Sequence, residues 1–166
     1  MLLAGSKDFN AILTAPFGRL GVRTEDDAIV DIKFVLSERD ITQPHHDETP
    51  AIGVLRLALA AYWRDASSSL AHVPVKLQGT THQLRVWQAL TRIRPGETRC
   101  YGEVAVEMGS AAQAVGQACG ANPLPLLIPC HRVVSRTGLG GFMQRRNGEA
   151  LFIKQWLLTH ERRHTH

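Results

Sequence analysis

Near residue 80 the apolar residues of this chain change period, and that change restricts the fold more than any other feature. Before it, the pattern is that of strands. Ala28 to Leu36 sets Val30, Ile32, Phe34 and Leu36 on one face and Asp31 and Lys33 on the other, the two-residue period of a half-buried strand. Phe9 to Thr14 and Gly18 to Arg23, separated by a turn bearing Pro16, complete a small antiparallel sheet. Ile52, Leu55, Leu59 and Tyr62 then recur at helical spacing behind Thr49-Pro50, so Ala51 to Asp65 is expected as a helix on that sheet. Val73 to Leu77, ended by Gly79, reads as one more short strand. Ser37 to Thr49 is polar, carries Pro44 and reads as a surface loop. Its His45 and His46 do not make a metal site, because adjacent side chains rarely converge on one ion.

From Thr80 the spacing is helical. Thr80 and Gln83 form a capping-box pattern ahead of Val86, Trp87, Leu90 and Ile93, and Pro95-Gly96 stops that helix. Tyr101 to Met108 ends at Gly109, and Ser110 is placed to cap a further helix from Ala111 to about Gly120. Two short helices joined by a glycine turn are a helix-turn-helix candidate. Two domains follow, residues 1–79 and 80–166.

The charge is divided in the same place. Residues 1–80 hold eight Lys/Arg against ten Asp/Glu, and residues 81–166 hold eleven against five. The halves are therefore −2 and +6. A basic half suits a phosphate-binding surface, although many basic faces are merely solvated. With 44% hydrophobic and 20% charged residues the chain reads as a soluble globular protein. Its apolar run Leu57 to Trp63, closed by Arg56 and Arg64, falls short of the roughly 18 to 20 residues that cross a bilayer. The first residues lack a secretory signal, so a cytoplasmic location and no membrane partner are expected. Cys100, Cys119 and Cys130 lack C-x-x-C spacing, which disfavours a disulfide framework and a cysteine metal site.

Two local features bear on chemistry. On the second helix of the helix-turn-helix, Ala112, Val115 and Cys119 share one side, and Gln113, Gly116, Gln117 and Gly120 share the other. Each glycine costs a helix about 1 kcal/mol relative to alanine. Close approach of a nucleic-acid strand and a tight helix contact within the protein are equally good reasons for two of them. The second feature is Pro129-Cys130-His131-Arg132, set between the apolar runs Leu126-Leu127-Ile128 and Val133-Val134. A lone cysteine is usually a small core residue. As a nucleophile it needs help, because a thiol of pKa about 8.5 is only roughly 3% ionised at pH 7. A histidine acting directly or through one water, itself oriented by a carboxylate, would supply that help.

Ile128-Pro129-Cys130-His131-Arg132-Val133-Val134 resembles the acceptor-cysteine motif of the O6-alkylguanine-DNA alkyltransferases. Pro95-Gly96-Glu97-Thr98, Tyr101-Gly102-Glu103-Val104-Ala105, Ala114-Val115-Gly116, Asn122-Pro123 and Lys154-Gln155-Trp156-Leu157-Leu158 with His160-Glu161 follow the same family in order. The likeness is strong over residues 80–161 and extends to the first domain only in size and strand content. It implies an α+β protein, with a small N-terminal antiparallel-sheet domain of RNase H-like type and a C-terminal all-helical domain. It also implies single-turnover transfer of an alkyl group from O6 of guanine in double-stranded DNA to Cys130, after the base is flipped out. In that reading His131 with a bridging water is the base, Glu161 completes the relay and Asn122 holds the active-site turn. Tyr101 assists extrusion and the leaving guanine, and Arg132 is a structural anchor. Val133, Phe142 and Met143 line the base pocket, and Gln113, Ala114, Gly116, Gln117 and Tyr101 face DNA. No cofactor is implied, and the chain is expected to be a monomer without DNA. A non-cysteine zinc site in the first domain stays open.

The chain departs from that pattern in two places. The family typically carries an arginine where this sequence has Gln113, which removes a cation from the narrow, negative groove. The turn Gly109-Ser110 is also about two residues short. After the acceptor, Phe142 replaces a tyrosine and Met143 to Glu149 is several residues longer, bringing Arg145 and Arg146. These two arginines are expected to make up part of the charge missing at Gln113. The competing readings are a non-catalytic DNA-binding protein that senses alkylated bases, and a cysteine hydrolase built on Cys130 and His131.

Overall fold

Residues 9–35, 48–142 and 148–164 are described by the computed structural model. They divide into two compact units, Met1–Leu77 and Gln78–His166.

In the first unit β1 (Ala11–Ala15), β2 (Gly18–Glu25) and β3 (Ala28–Val35) form an antiparallel sheet in that order. Leu13 pairs with Leu20, and Val22 with Ile32. Asp26 and Asp27, both with positive φ (52° and 54°), make the two-residue hairpin loop between β2 and β3, as the strand twist favours. The alternation expected for β3 is corrected: its buried residues are Ile29, Ile32 and Val35, not Val30, Ile32 and Phe34, and Leu36 lies outside the described residues. A β-bulge accounts for Ile29 in place of Val30. Arg23 pairs with Asp31 but Thr24 with Ile29, so Val30 is an extra residue and the inward face switches there. Phe34 instead meets Phe17 edge to face at 5.8 Å, and Phe17 meets Trp63 at 5.7 Å. Gly21 is required by packing, since a Cβ there would stand 2.5 Å from the ring of Phe9.

Helix α1 (Pro50–Arg64) starts as its sequence requires. Thr49 caps it by accepting from the Ile52 amide, Pro50 occupies the first turn, and Ala51, Ile52, Leu55, Ala58, Leu59 and Tyr62 are buried. The strand expected at Val73 to Leu77 shrinks to one parallel bridge between Val75 and Ile29. Pro74 has no N–H to extend a ladder and contributes only its carbonyl, to Ile29.

The second unit opens with α2 (Thr81–Leu90), whose capping box between Thr80 and Gln83 is complete. Its Trp87 indole N–H donates to the Ala118 carbonyl at 2.9 Å, joining α2 to α4. Helix α3 (Tyr101–Met108) ends on Gly109 in the left-handed region, and α4 (Ala112–Gly120) follows. Two expectations are corrected here. Ser110 does not cap α4; Ala111 is the N-cap residue and offers no side chain, while the Ser110 hydroxyl lies 2.8 Å from His82 Nε2 of α2. The buried residues of α4 are Val115, Ala118 and Cys119, with Ala112 exposed, so the inward face is rotated toward α2. The unit is also not wholly helical: β4 (Arg99–Cys100) and β5 (Val133–Val134) pair in parallel, Arg99 with Val133 and Cys100 with Val134. Helix α5 (Glu149–His164) completes it. Among the described residues no helix is long and apolar enough to cross a membrane.

Candidate active site

The segment between α4 and β5 is shaped by Asn122, which is 2% exposed. Its side-chain amide donates to the Ile128 carbonyl at 2.8 Å, and its side-chain oxygen accepts from the Leu124 amide at 2.9 Å. These bonds fold residues 122–128 into a closed turn, with Leu126 at φ 78°. Cys130, His131 and Arg132 then form one 3-10 turn. Three residues per turn send these neighbouring side chains in three directions.

His131 and Arg132 both reach Glu161 of α5. His131 Nε2 lies 2.8 Å from Glu161 Oε2. Arg132 donates from Nε to Oε1 at 2.9 Å and from Nη2 to Oε2 at 2.8 Å, and from Nη1 to the Ile93 carbonyl. Burial would raise the carboxyl pKa of Glu161, but His131 and Arg132 outweigh it and hold the group well below the usual carboxylate range. An ionised carboxylate only accepts. His131 Nε2 therefore carries the ring proton, and Nδ1 presents a lone pair. Burial lowers the pKa of His131 against the pull of Glu161, which keeps the ring neutral. That Nδ1 is buried without a hydrogen-bond partner among the described residues.

Cys130 is 4% exposed. Burial raises its pKa, opposed by a hydrogen bond from Asn122 and the charge of Lys154. The family resemblance assigns Lys154 no role. Its ammonium is wholly buried and donates to the carbonyls of Val133 (2.7 Å), Leu139 (2.6 Å) and Gly141 (2.8 Å). Burial lowers its pKa to about 8, so at neutral pH it is still mostly charged. A sequence signal for it existed: Lys154 stands between Ile153 and Leu157 on the inward face of α5, and a lysine there must find partners.

Tyr101 is the first residue of α3. Its ring lies between two glycines, since a Cβ would stand 3.9 Å away at Gly116 and 3.0 Å away at Gly140. Its hydroxyl points to the Gly141 carbonyl at a long 3.5 Å, and Lys154 Nζ is 5.9 Å from the ring centroid. Gly116 of α4 thus meets the Tyr101 side chain of α3. Val133 and Phe142 are buried; Met143, Arg145 and Arg146 lie outside the described residues. On α4, Gln113 and Gln117 are exposed, with Ala114 and Gly116 half-buried. The other two thiols differ from Cys130: burial pushes Cys119 up to about 12, and the Cys100 thiol is raised by its hydrogen bond with Glu103. A groove of about 250 Å³ along α5, lined by Phe152, Gln155, Trp156, Thr159, His160 and Arg163, includes none of these site residues.

Residues 81–163 match the family model described as 6-O-methylguanine DNA methyltransferase, DNA binding domain. A methylated-DNA–protein-cysteine methyltransferase of Haemophilus influenzae is 34% identical over 80% of this chain and 78% of its own length. The constitutive enzyme of that name from Bacillus subtilis is 36% identical over 89% and 91%. Among solved structures, OGT of Mycobacterium tuberculosis in complex with DNA superposes with a TM-score of 0.73, at 30% identity, over 93% of both chains.

Proposed function

The chain belongs to the 6-O-methylguanine DNA methyltransferase family, and from that premise we propose that it repairs DNA by direct reversal, with Cys130 taking the alkyl group from O6 of guanine once per molecule. The observation that carries this reading is the state of His131. Its Nε2–H is committed to Glu161, and its buried Nδ1 lone pair, one residue from the thiol, has no protein donor. One water between Cys130 Sγ and Nδ1 would pass the thiol proton to the ring, at the modest entropic cost of an ordered water. The imidazolium so formed is stabilised by Glu161, while Arg132 keeps that carboxylate in place.

The thiolate then attacks the alkyl carbon in line. The new S–C bond forms as the C–O6 bond breaks, and its electron pair leaves with guanine. Tyr101 donates a hydrogen bond or proton to that leaving group. Lys154 favours the thiolate by its charge and, through the Val133, Leu139 and Gly141 carbonyls, holds the backbone expected to flank the extruded base. A thioether is not readily hydrolysed, so the thiol is not regenerated. Delivery of the base requires flipping, at a cost of a few kcal/mol that is smaller for a damaged pair. Gln113, Ala114, Gly116 and Gln117 of α4 would face the DNA, with Arg145 and Arg146 adding charge. The protein would act on cytoplasmic DNA as a monomer before binding.

Incubation with duplex DNA containing O6-methylguanine, then digestion and mass analysis, tests the reading. One methyl on the Cys130 peptide, saturating at one per protein, is expected. Binding without label would instead mark a sensor of alkylated bases, and repeated turnover a hydrolase. Cys130→Ala is expected to bind DNA and never to be labelled.

A further inference from the structure

Helix α4 contains no lysine or arginine, so a cation that meets a DNA phosphate beside this site would come from another element. We propose that Arg136 is that cation, contacting a phosphate of the strand from which the guanine is turned out. The proposal rests on the reading of Cys130 as acceptor of an alkyl group from DNA. The parallel pairing of Cys100 with Val134 makes β5 leave the sheet at the end where α3 begins, so Arg136 emerges beside Tyr101. The turn after β5 is tied by the Ser135 amide and hydroxyl, both donating to the Gly138 carbonyl at 3.1 Å. Arg136 Nη2 lies over the first turn of α3, 3.9 Å from where a Cβ of Gly102 would stand. The missing side chain at Gly102 leaves that space open.

Arg136 is exposed, and no hydrogen bond or ion pair engages it among the described residues. Several other cations of this unit are committed elsewhere. Arg99 pairs with Glu107, Arg132 with Glu161, Arg85 with the Met108 carbonyl, and Lys154 with three carbonyls. The carboxylate within electrostatic reach, Glu103, accepts from the Cys100 amide at 2.8 Å. The guanidinium therefore remains available to a phosphate at the residue that begins α3, which is also the tyrosine expected to act on the extruded nucleotide. A guanidinium also suits a phosphate geometrically, because it can donate two parallel N–H bonds.

The test compares native protein, Arg136→Ala and Arg136→Lys in binding to a duplex with one O6-methylguanine across a salt series. One lost phosphate contact lowers the slope of log K against log salt by about 0.9, which is about tenfold in affinity near 0.1 M salt. Arg136→Ala is expected to show both changes with its Tm unaltered. Arg136→Lys is expected to restore the slope. Labelling of Cys130 by Arg136→Ala should need more DNA for half-maximal rate, with the saturating rate constant kept. An unchanged slope in Arg136→Ala overturns the proposal, as does weaker binding with an unchanged slope and a lowered Tm. Failure of the native protein to take a methyl from the duplex would instead refute the acceptor reading, and the salt slopes would still report on Arg136.

Discussion

Glu161→Gln removes one charge from the centre of the second unit and keeps the shape of the side chain. Native Glu161 is wholly buried and receives one bond from His131 and two from Arg132. A glutamine has one acceptor oxygen and an NH2 that only donates, so one of those three donors at least is left facing another donor. The Arg132 guanidinium becomes a buried charge without a counter-charge. Breaking a buried pair by removing one partner costs about 3 to 5 kcal/mol, and for a chain of this size about 2 to 4 °C of Tm accompanies each kcal/mol. A fall of roughly 6 to 20 °C follows, readable by calorimetry or circular dichroism at pH 7. The pH dependence has a definite sign. The folded pKa lies below the ordinary carboxyl value, so the stabilisation is complete above pH of about 4.3 and is lost as pH falls through the folded value. The gap in stability between native protein and variant should therefore close in acid. Methyl transfer to Cys130 should also fall, because His131 loses the anion that favours its protonation. A Tm within about 2 °C of native, with an undiminished labelling rate, would refute this account of the His131, Arg132 and Glu161 cluster.

Three further outcomes are expected. Gly21→Ala forces a Cβ to within 2.5 Å of the Phe9 ring; a loss of about 1 to 3 kcal/mol in urea unfolding is expected for such overpacking, with DNA labelling at 25 °C retained. Gly140→Ala places a Cβ 3.0 Å from the Tyr101 ring at φ +74°, so single-turnover labelling should slow more than DNA binding weakens, as stopped-time quench assays would show. The labelling rate should decline above pH 8, because Lys154 loses its proton near about 8 and with it both the charge beside Cys130 and one of three N–H donors. Lys154→Met should label slowly at every pH and lack that alkaline limb.

Much of the local structure was legible from residue spacing. The caps at Thr49 and Thr80, the stop at Gly109 and the apolar face of α1 depend on contacts within one or two helical turns, and these the chain specifies by itself. β3 departs from plain alternation because a bulge is a property of two strands: Val30 is an extra residue only in relation to Arg23 and Thr24 of β2. The inward face of α4 keeps Val115 and Cys119 as spacing indicates and differs only in Ala112, which is exposed, and Ala118, which is buried with its carbonyl accepting from the Trp87 indole of α2. Ser110 was expected to cap because its type and position suit a cap; His82, 28 residues away, took the hydroxyl instead.

The sequence alone determined that Cys130 has an adjacent imidazole within an acceptor-like motif, and a resemblance, not spacing, named Glu161. Tertiary structure decided the chemistry available to them. It brought a carboxylate from 30 residues away onto His131, which sets the ring tautomer and leaves Nδ1 as the acceptor. It buried Lys154 against three carbonyls, and it set Tyr101 between Gly116 and Gly140. The physical reason is range. Capping and periodicity act over a few residues, but a pKa and a proton path depend on what burial brings together from distant parts of the chain.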